Sequence, residues 1–217
     1  LRLDLDFDEA KLLAAPKTGP LVVVANHPFG VLDGIVICHL MLKLRTDFRI
    51  LSNSALYRVP EIYQWLLPVD FTESPEALAT NIKTRAEARR FLEQGGALVV
   101  FPAGGVATTP RAFSRRAIDA EWKPLTARLI LQGKAPVLPV YFHGQNSRLF
   151  QIASQLSMTL RLALIAAATF LPRESQFARG AGGQSGQCCR LLVPVDHDAI
   201  ATGALGQVQG RVGGGVG

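Results

Sequence analysis

Cysteine is scarce in this chain. The 217 residues contain three cysteines, Cys38, Cys188 and Cys189. An odd number without paired ligand spacing provides neither the disulfide framework of a small secreted fold nor a zinc site. The sequence therefore predicts a protein of a reducing compartment, with no metal site built from its cysteines. A Gly-x-Ser-x-Gly segment is missing too, so a hydrolase with a nucleophile elbow lacks its best local signal.

Long apolar runs and a dense basic face are also missing. No apolar run reaches the length of a membrane-spanning helix, and no signal peptide is visible. We therefore expect a soluble or peripheral protein. The 23 basic and 17 acidic residues give a net charge of +6, which favours an anionic partner such as a phosphate or an acidic membrane surface. No nucleic-acid-binding motif accompanies this charge, so we expect no nucleic acid as a partner.

Strand-like apolar runs alternate with helical segments along the chain. "LVVVAN", "FRILSN", "ALVVFP" and "APVLPVYF" have the composition of buried strands. The apolar segment after Gly34 and the segment that Pro124 opens have the pattern of helices. This alternation predicts an α/β fold with a mostly parallel central sheet covered by helices.

The segment "SPEALATNIKTRAEARRFLEQGG" has the clearest helix signals. Ser74 is placed as N-cap and Pro75 at the first helical position. Leu78, Ile82 and Ala86 lie three or four residues apart, and we expect them to form the inner stripe of this helix.

Composition changes near the C-terminus. Glycine becomes frequent from about Gly180, and the chain finishes with "GRVGGGVG". Such a segment has little apolar surface to offset its backbone entropy. We therefore expect one folded domain over residues 1–171, followed by a Gly-rich, divergent or poorly ordered tail over residues 172–217.

The stretch "VVVANHPFGVLDG" places His27 and Asp33 just after a strand. In α/β sheets this connection is where active sites lie, beyond the carboxyl ends of the strands. An imidazole that a carboxylate orients through one ring nitrogen can take a proton from a substrate hydroxyl with the other. The plain alternative is that His27 only ends a strand and Asp33 only caps the following helix.

Two further stretches follow strands. "FPAGG" opens into small residues, and Gly104 and Gly105 could present backbone N–H groups to an anion. "PVLPVYFHGQNS" is a strand followed by polar residues. The alternatives are an ordinary glycine turn for the first and a plain strand and loop for the second.

Taken together and in this order, the stretches resemble motifs of the glycerolipid acyltransferase superfamily, lysophosphatidate acyltransferase type. The similarity is strongest to its hemolysin-like or lyso-ornithine-lipid acyltransferase branch. The family's Asn-His…Asp motif is matched by "NHPFGVLDG", its Phe-Pro-Glu-Gly motif by "FPAGG" and its proline-bearing strand by "VLPVYFHGQNS". The resemblance implies a glycerol-phosphate acyltransferase-like fold, with His27 and Asp33 as catalytic residues. It implies substrate-binding roles for Asn26, Pro28, Phe29, Gly30, Phe101, Pro102, Ala103, Gly104, Gly105 and Pro139.

Several positions depart from the family pattern. Five residues separate His27 from Asp33, whereas the main family has four, so the loop must bulge. The second-motif region "LLPVDF" has no arginine, which favours a lysolipid such as lyso-ornithine lipid over a glycerol phosphate as acceptor. Anion binding would then use backbone N–H groups and Arg111, Arg115 or Arg116, although a side chain of this kind near a loop is more often a solvated surface charge than a specific contact.

The resemblance implies a reaction. His27, oriented by Asp33, would act as general base on the hydroxyl of a lyso-ornithine lipid or lysophospholipid, which attacks the thioester of acyl-CoA or acyl carrier protein. No cofactor beyond this acyl donor is implied. We expect a peripheral protein on the cytoplasmic face of the inner membrane, where the basic surface attracts anionic lipid. The alternatives are a non-catalytic lipid-binding domain of the same fold and a lipid hydrolase.

Overall fold

The computed structural model describes residues 5–54, 56, 62–72, 74–111, 114 and 116–156. Five strands lie in chain order: β1 (Leu21–Ala25), β2 (Phe48–Asn53), β3 (Leu66–Val69), β4 (Ala97–Val100) and β5 (Val137–Val140). The helices are α1 (Glu9–Leu13), α2 (Val31–Leu44), α3 (Pro75–Glu93), α4 (Pro124–Gly133) and α5 (Arg148–Leu156). A 3-10 turn, Tyr63–Trp65, precedes β3.

The strands form one sheet in the order β3-β2-β4-β1-β5, and every pairing between them is parallel. The prediction of an α/β fold with a largely parallel sheet is therefore confirmed. All residues of β1 are buried, as expected for a strand with a layer packed on each face. This explains why β1 has a continuous apolar sequence rather than an alternating one.

Two apolar cores lie on opposite faces of the sheet. Successive side chains of a strand point to opposite faces, and Val23 of β1 packs in one core with Ile37 of α2. Its neighbour Val22 packs in the other core with Ala88 of α3 and Leu129 of α4. Helix α2 therefore covers one face, and α3 and α4 cover the other.

Helix α2 begins earlier than the sequence predicts. It starts at Val31, before Gly34, and its N-cap is Gly30, with φ of 84°. This left-handed region is open to glycine at little cost, so the turn after the strand can close directly into a helix. Asp33 consequently lies in the first turn of α2 rather than in the loop before it.

Helix α3 begins as predicted but buries a different stripe. The Ser74 hydroxyl accepts a hydrogen bond from the Ala77 N–H (3.1 Å), and Pro75 is the first helical residue. The predicted inner stripe is wrong: Leu78 is 60% and Ile82 56% exposed, and Ala86 is exposed too. The buried side chains are Ala77, Thr84, Ala88 and Leu92. Three of these four side chains are small, which lets the helix pack closely on the sheet, and Leu78 and Ile82 lie outside.

Arg45, just after α2, ties together the opposite end of the sheet. Its side chain is 2% exposed and pairs with Asp47 at 2.6 Å. The guanidinium also donates to the carbonyl oxygens of Gly19 (2.7 Å) and Gly95 (2.6 Å). These glycines precede β1 and β4, so one side chain fixes the entry of both central strands. The hydrogen bonds that Arg45 donates to Asp47 lower the pKa of the Asp47 carboxyl.

We predict that Arg45→Met lowers the free energy of unfolding by about 1–3 kcal/mol, because its partners lose a charged donor. The matched control is Lys43→Met, which removes an exposed ion pair with Glu9 and should cost less than about 1 kcal/mol. Denaturant unfolding of the two variants checks this. Equal midpoints for both would contradict the role of Arg45.

Candidate active site

The parallel pairing of β1 with β4 brings the two main motifs together. Val24 lies opposite Val100, so the segments that follow these strands leave the sheet side by side. The rings of His27 and Phe101 have centroids 4.3 Å apart. The Ala107 N–H donates to the His27 carbonyl oxygen (2.8 Å), which joins the "NHPFG" segment to the loop after "FPAGG".

His27 and Asp33 form a buried pair. His27 Nδ1 lies 3.0 Å from Asp33 Oδ2, with the side chains 18% and 1% exposed. In the described part of the chain Nδ1 has no hydrogen-bond partner of good geometry, so the Asp33 carboxylate faces it as a close polar neighbour. The arrangement turns one ring nitrogen toward a carboxylate and leaves Nε2 as the nitrogen available to a ligand.

The backbone of the turn holds the carboxylate in place. The N–H groups of Phe29 (2.8 Å) and Gly30 (2.9 Å) both donate to Asp33 Oδ2. Gly30 has a positive φ, which lets the backbone of the turn bring both N–H groups to the carboxylate. The bulge relative to the main family's spacing stays a prediction.

Burial raises the pKa of the Asp33 carboxyl, while the hydrogen bonds from His27 and from the Phe29 and Gly30 N–H groups oppose this rise. Its second oxygen, Oδ1, is buried without a hydrogen-bond partner among the described residues. Desolvation disfavours the charged form unless such partners compensate.

A second carboxylate supports His27 from the other side. The backbone N–H of His27 donates to Asp119 Oδ1 (3.2 Å). Asp119 also forms a side-chain hydrogen bond with Trp122. Partial burial raises the pKa of the Asp119 carboxyl. Sequence reasoning missed this residue because 92 positions separate it from His27, and no local motif marks it.

His27 opens onto a large groove of about 1790 Å³ whose lining is mostly apolar. Six of the residues predicted for the site line it: His27, Gly30, Phe101, Pro102, Gly104 and Gly105. The groove crosses the carboxyl edge of the sheet, so its walls come from helices on both faces. It is large enough for a long-chain ligand.

The structure does not bring the other predicted substrate-binding residues to the groove wall. The Asn26 side chain donates to the Phe142 carbonyl (2.9 Å) and accepts from its N–H (2.7 Å), fastening the end of β1 to the segment after β5. Pro28, Phe29 and Ala103 are buried, and Pro139 pairs with Val24 inside the sheet. Their contact with substrate stays a prediction.

Other candidate side chains are placed as follows. Burial raises the pKa of the Cys38 thiol to about 11, so this groove-lining residue stays a thiol near neutral pH and is a poor nucleophile. His39 and His143 are exposed. His197 lies outside the described residues. No group of three or more His, Cys, Asp or Glu within the described ranges could hold a metal ion.

Among the described residues, the cation beside the "FPAGG" turn is a lysine. Arg111 and Arg116 are exposed and do not line the groove, and Arg115 lies outside the described residues. Lys123 lines the groove instead, with Nζ 5.2 Å from the centroid of the Phe71 ring. A Cβ added at Gly104 would lie 3.7 Å from this Nζ. Sequence reasoning missed Lys123, and the local feature that marks it is its position just before the helix-opening Pro124.

These features define a class: an α/β protein with a histidine–carboxylate pair at the carboxyl edge of a parallel sheet, facing an apolar groove. Comparison with known families agrees, because the acyltransferase family model matches residues 8–196. The chain belongs to this acyltransferase family.

None of the helices in the described ranges combines the length and apolarity needed to cross a membrane.

Two curated relatives are lyso-glycine lipid O-acyltransferases. One, from Phocaeicola vulgatus, is 25% identical over 180 residues, covering 79% of this chain and 59% of the relative. The other, from Bacteroides thetaiotaomicron, is 27% identical over 161 residues, covering 73% and 56%. The chain thus spans less than two thirds of the length of either relative.

Among solved structures, the chain is similar to the 1-acyl-sn-glycerophosphate acyltransferase PlsC from Thermotoga maritima. The sequence identity is 16% and the TM-score 0.47, covering 96% of this chain and 74% of the other.

We predict that Asp119→Ala lowers kcat for the activity of this site about tenfold, because the His27 N–H loses an acceptor worth about 1–1.5 kcal/mol. Asp119→Asn keeps an acceptor oxygen and should retain most of the activity. Glu121→Gln, an exposed neighbour, is the control. Thermal melting run beside the assay separates lost positioning from unfolding, and equal losses for the alanine and asparagine variants would contradict the prediction.

Proposed function

We propose that this protein transfers a fatty acyl group from acyl-CoA or acyl carrier protein to the hydroxyl of a lysolipid. The observation behind the proposal is the pair of His27 and Asp33, 3.0 Å apart, at the wall of an apolar groove. The pair provides a base that a carboxylate orients, and the groove provides room for acyl chains.

In the proposed reaction His27 Nε2 takes the proton from the acceptor hydroxyl as its oxygen attacks the thioester carbonyl carbon. Asp33 stabilises the imidazolium through Nδ1. The carbon–sulfur bond then breaks, and the leaving thiolate takes the proton back from Nε2. The acceptor gains an ester and the donor becomes a free thiol, so the step balances without a metal or a further cofactor.

The acceptor we favour is a lysolipid with an amino-acid headgroup. The curated relatives are named for a lyso-glycine lipid. The second-motif segment, which includes β3, has no arginine for a glycerol phosphate. Lyso-ornithine lipid belongs to the same chemical class as lyso-glycine lipid, and lysophospholipids remain the comparison substrates.

We predict that His27→Ala lowers acyl transfer by a factor of roughly a hundred or more, the size expected for a lost general base. His39→Ala is the matched control, since His39 is exposed on α2 and should leave transfer unchanged. The assay offers labelled acyl-CoA and acyl carrier protein with lyso-glycine lipid, lyso-ornithine lipid and lysophosphatidate.

The products of that assay distinguish the alternatives. Release of free fatty acid without a new ester would indicate a hydrolase instead. A folded protein that transfers to no acceptor on the panel would point to the non-catalytic lipid-binding alternative.

We also propose that the protein works at a membrane surface, on the cytoplasmic face of the inner membrane. Leu78 and Ile82 lie one helical turn apart on α3 and are exposed. Lys83 is exposed beside them, and the net charge of +6 favours anionic lipid. Two exposed aliphatic side chains beside a lysine fit a contact with the membrane interface.

We predict that Leu78→Gln/Ile82→Gln reduces binding to vesicles of anionic phospholipid at least about tenfold, because inserting even one such side chain is worth about 1.5 kcal/mol or more. Leu42→Gln is the control, an exposed leucine on α2, which covers the other face of the sheet. Vesicle sedimentation measures the effect, and equal binding by the double variant and the control would overturn this contact.

A further inference from the structure

The groove has two parts of different character. One part, here the apolar arm, is lined by Ile35 and Cys38 of α2 together with Leu56, Ile62 and Trp65. The last four of these pack against the core that α2 shares with the sheet. The other part, here the cationic arm, is lined from α3 and α4 on the opposite face. His27 and the "FPAGG" turn line the same groove at the carboxyl edge of the sheet, between its two faces.

Positive charge concentrates in the cationic arm. Its lining includes Arg85 and Arg89 of α3, Lys123, and Arg128 of α4, whereas Asp70 is the one carboxylate among the described residues that line the groove. Arg89 pairs with Glu93 at 3.4 Å. Arg85 and Arg128 form no ion pair within the part of the chain that the structure describes. A concave wall with an excess of positive charge concentrates anions.

The position of Arg85 along α3 indicates which anion would fit. Helices α3 and α4 begin at the carboxyl edge of the sheet, where His27 lies, and run away from it. Arg85 is ten residues beyond the first residue of α3, which is about 15 Å along the axis. The acceptor's ionised group is only a few bonds from the reacting hydroxyl. A donor's phosphate lies at the far end of the long pantetheine chain and can reach this depth.

We propose that the cationic arm binds the phosphate of the donor's phosphopantetheine through Arg85 and Arg128, while the acyl chain lies in the apolar arm. This inference rests on the proposed acyl transfer. Acyl-CoA and acyl carrier protein both have this phosphate, so the site recognises the chemistry that the two donors share. The thioester between acyl chain and pantetheine then lies at His27, between the two arms.

Binding is measured first, independently of catalysis. His27→Ala is titrated with an acyl-CoA, with acyl carrier protein loaded with the same acyl chain, and with the corresponding acyl-pantetheine, which has no phosphate. Adding Arg85→Gln/Arg128→Gln should raise the Kd for the two phosphate-bearing donors about tenfold or more, the size of one or two charged hydrogen bonds. The Kd for acyl-pantetheine should not change. Salt should weaken only the phosphate-bearing donors.

The matched control is Arg90→Gln. Arg90 has the same side chain on the same helix, is exposed and does not line the groove. It should leave all three dissociation constants unchanged. The proposal is overturned if acyl-CoA and acyl-pantetheine bind equally, if neither phosphate-bearing donor binds, or if Arg90→Gln weakens binding as much as the double variant does.

Steady-state transfer then separates this inference from the proposed function. With His27 intact, the double variant should raise KM for the donor and leave KM for the acceptor unchanged. A raised KM for the acceptor alone would assign the cations to its headgroup and overturn the donor site. Phosphate-dependent binding without any transfer would leave the donor site standing and overturn the proposed function.

Discussion

The parallel pairing of β1 with β4 is the contact on which the site depends. These strands are distant in sequence but adjacent at the centre of the sheet. Parallel strands finish at the same edge, so the segments that follow them meet there. "NHPFG" and "FPAGG" become one surface because of this pairing, and Arg45 fixes the opposite ends of the same two strands. The edge that holds the candidate active site is therefore positioned by the buried central strands of the sheet.

His27 is held from several directions. Asp33 faces its ring, Asp119 accepts its backbone N–H, and Ala107 donates to its carbonyl oxygen. The two carboxylates reach it from different parts of the chain, one from the start of α2 and one from the long loop before α4. Fixing both peptide groups of a residue limits how its side chain can tilt. Such preorganisation is what a general base needs if the hydroxyl and thioester are to meet at one nitrogen.

The groove extends this arrangement across the sheet. Its apolar and cationic arms lie on opposite faces, with the carboxyl edge between them. The proposed reaction, with one long apolar chain and one charged carrier, would use such a division. Helix α3 packs on the sheet mainly through small residues, and Leu78 and Ile82 are left exposed. The proposed membrane contact would cover these two side chains.

Much of the fold was predictable from local signals. The strand compositions, the Ser74 cap and the helix-opening Pro75 and Pro124 are properties of short segments, and the structure confirms the elements they predict. The inner stripe of α3 was predicted wrongly, because periodicity identifies an apolar face but not what covers it. The helix packs where close approach is possible, and Ala77 and Ala88 allow it.

The sequence by itself determined that the fold is α/β, that His27 and Asp33 follow its first strand, and that five residues separate the two. These follow from chemistry within about a dozen neighbouring positions. Only the tertiary structure decided that Asp119 supports His27, that Lys123 is the cation beside the "FPAGG" turn, and that Asn26 fastens β1 to Phe142. Those contacts join segments far apart in the chain, and strand order, which no local pattern encodes, brings them together.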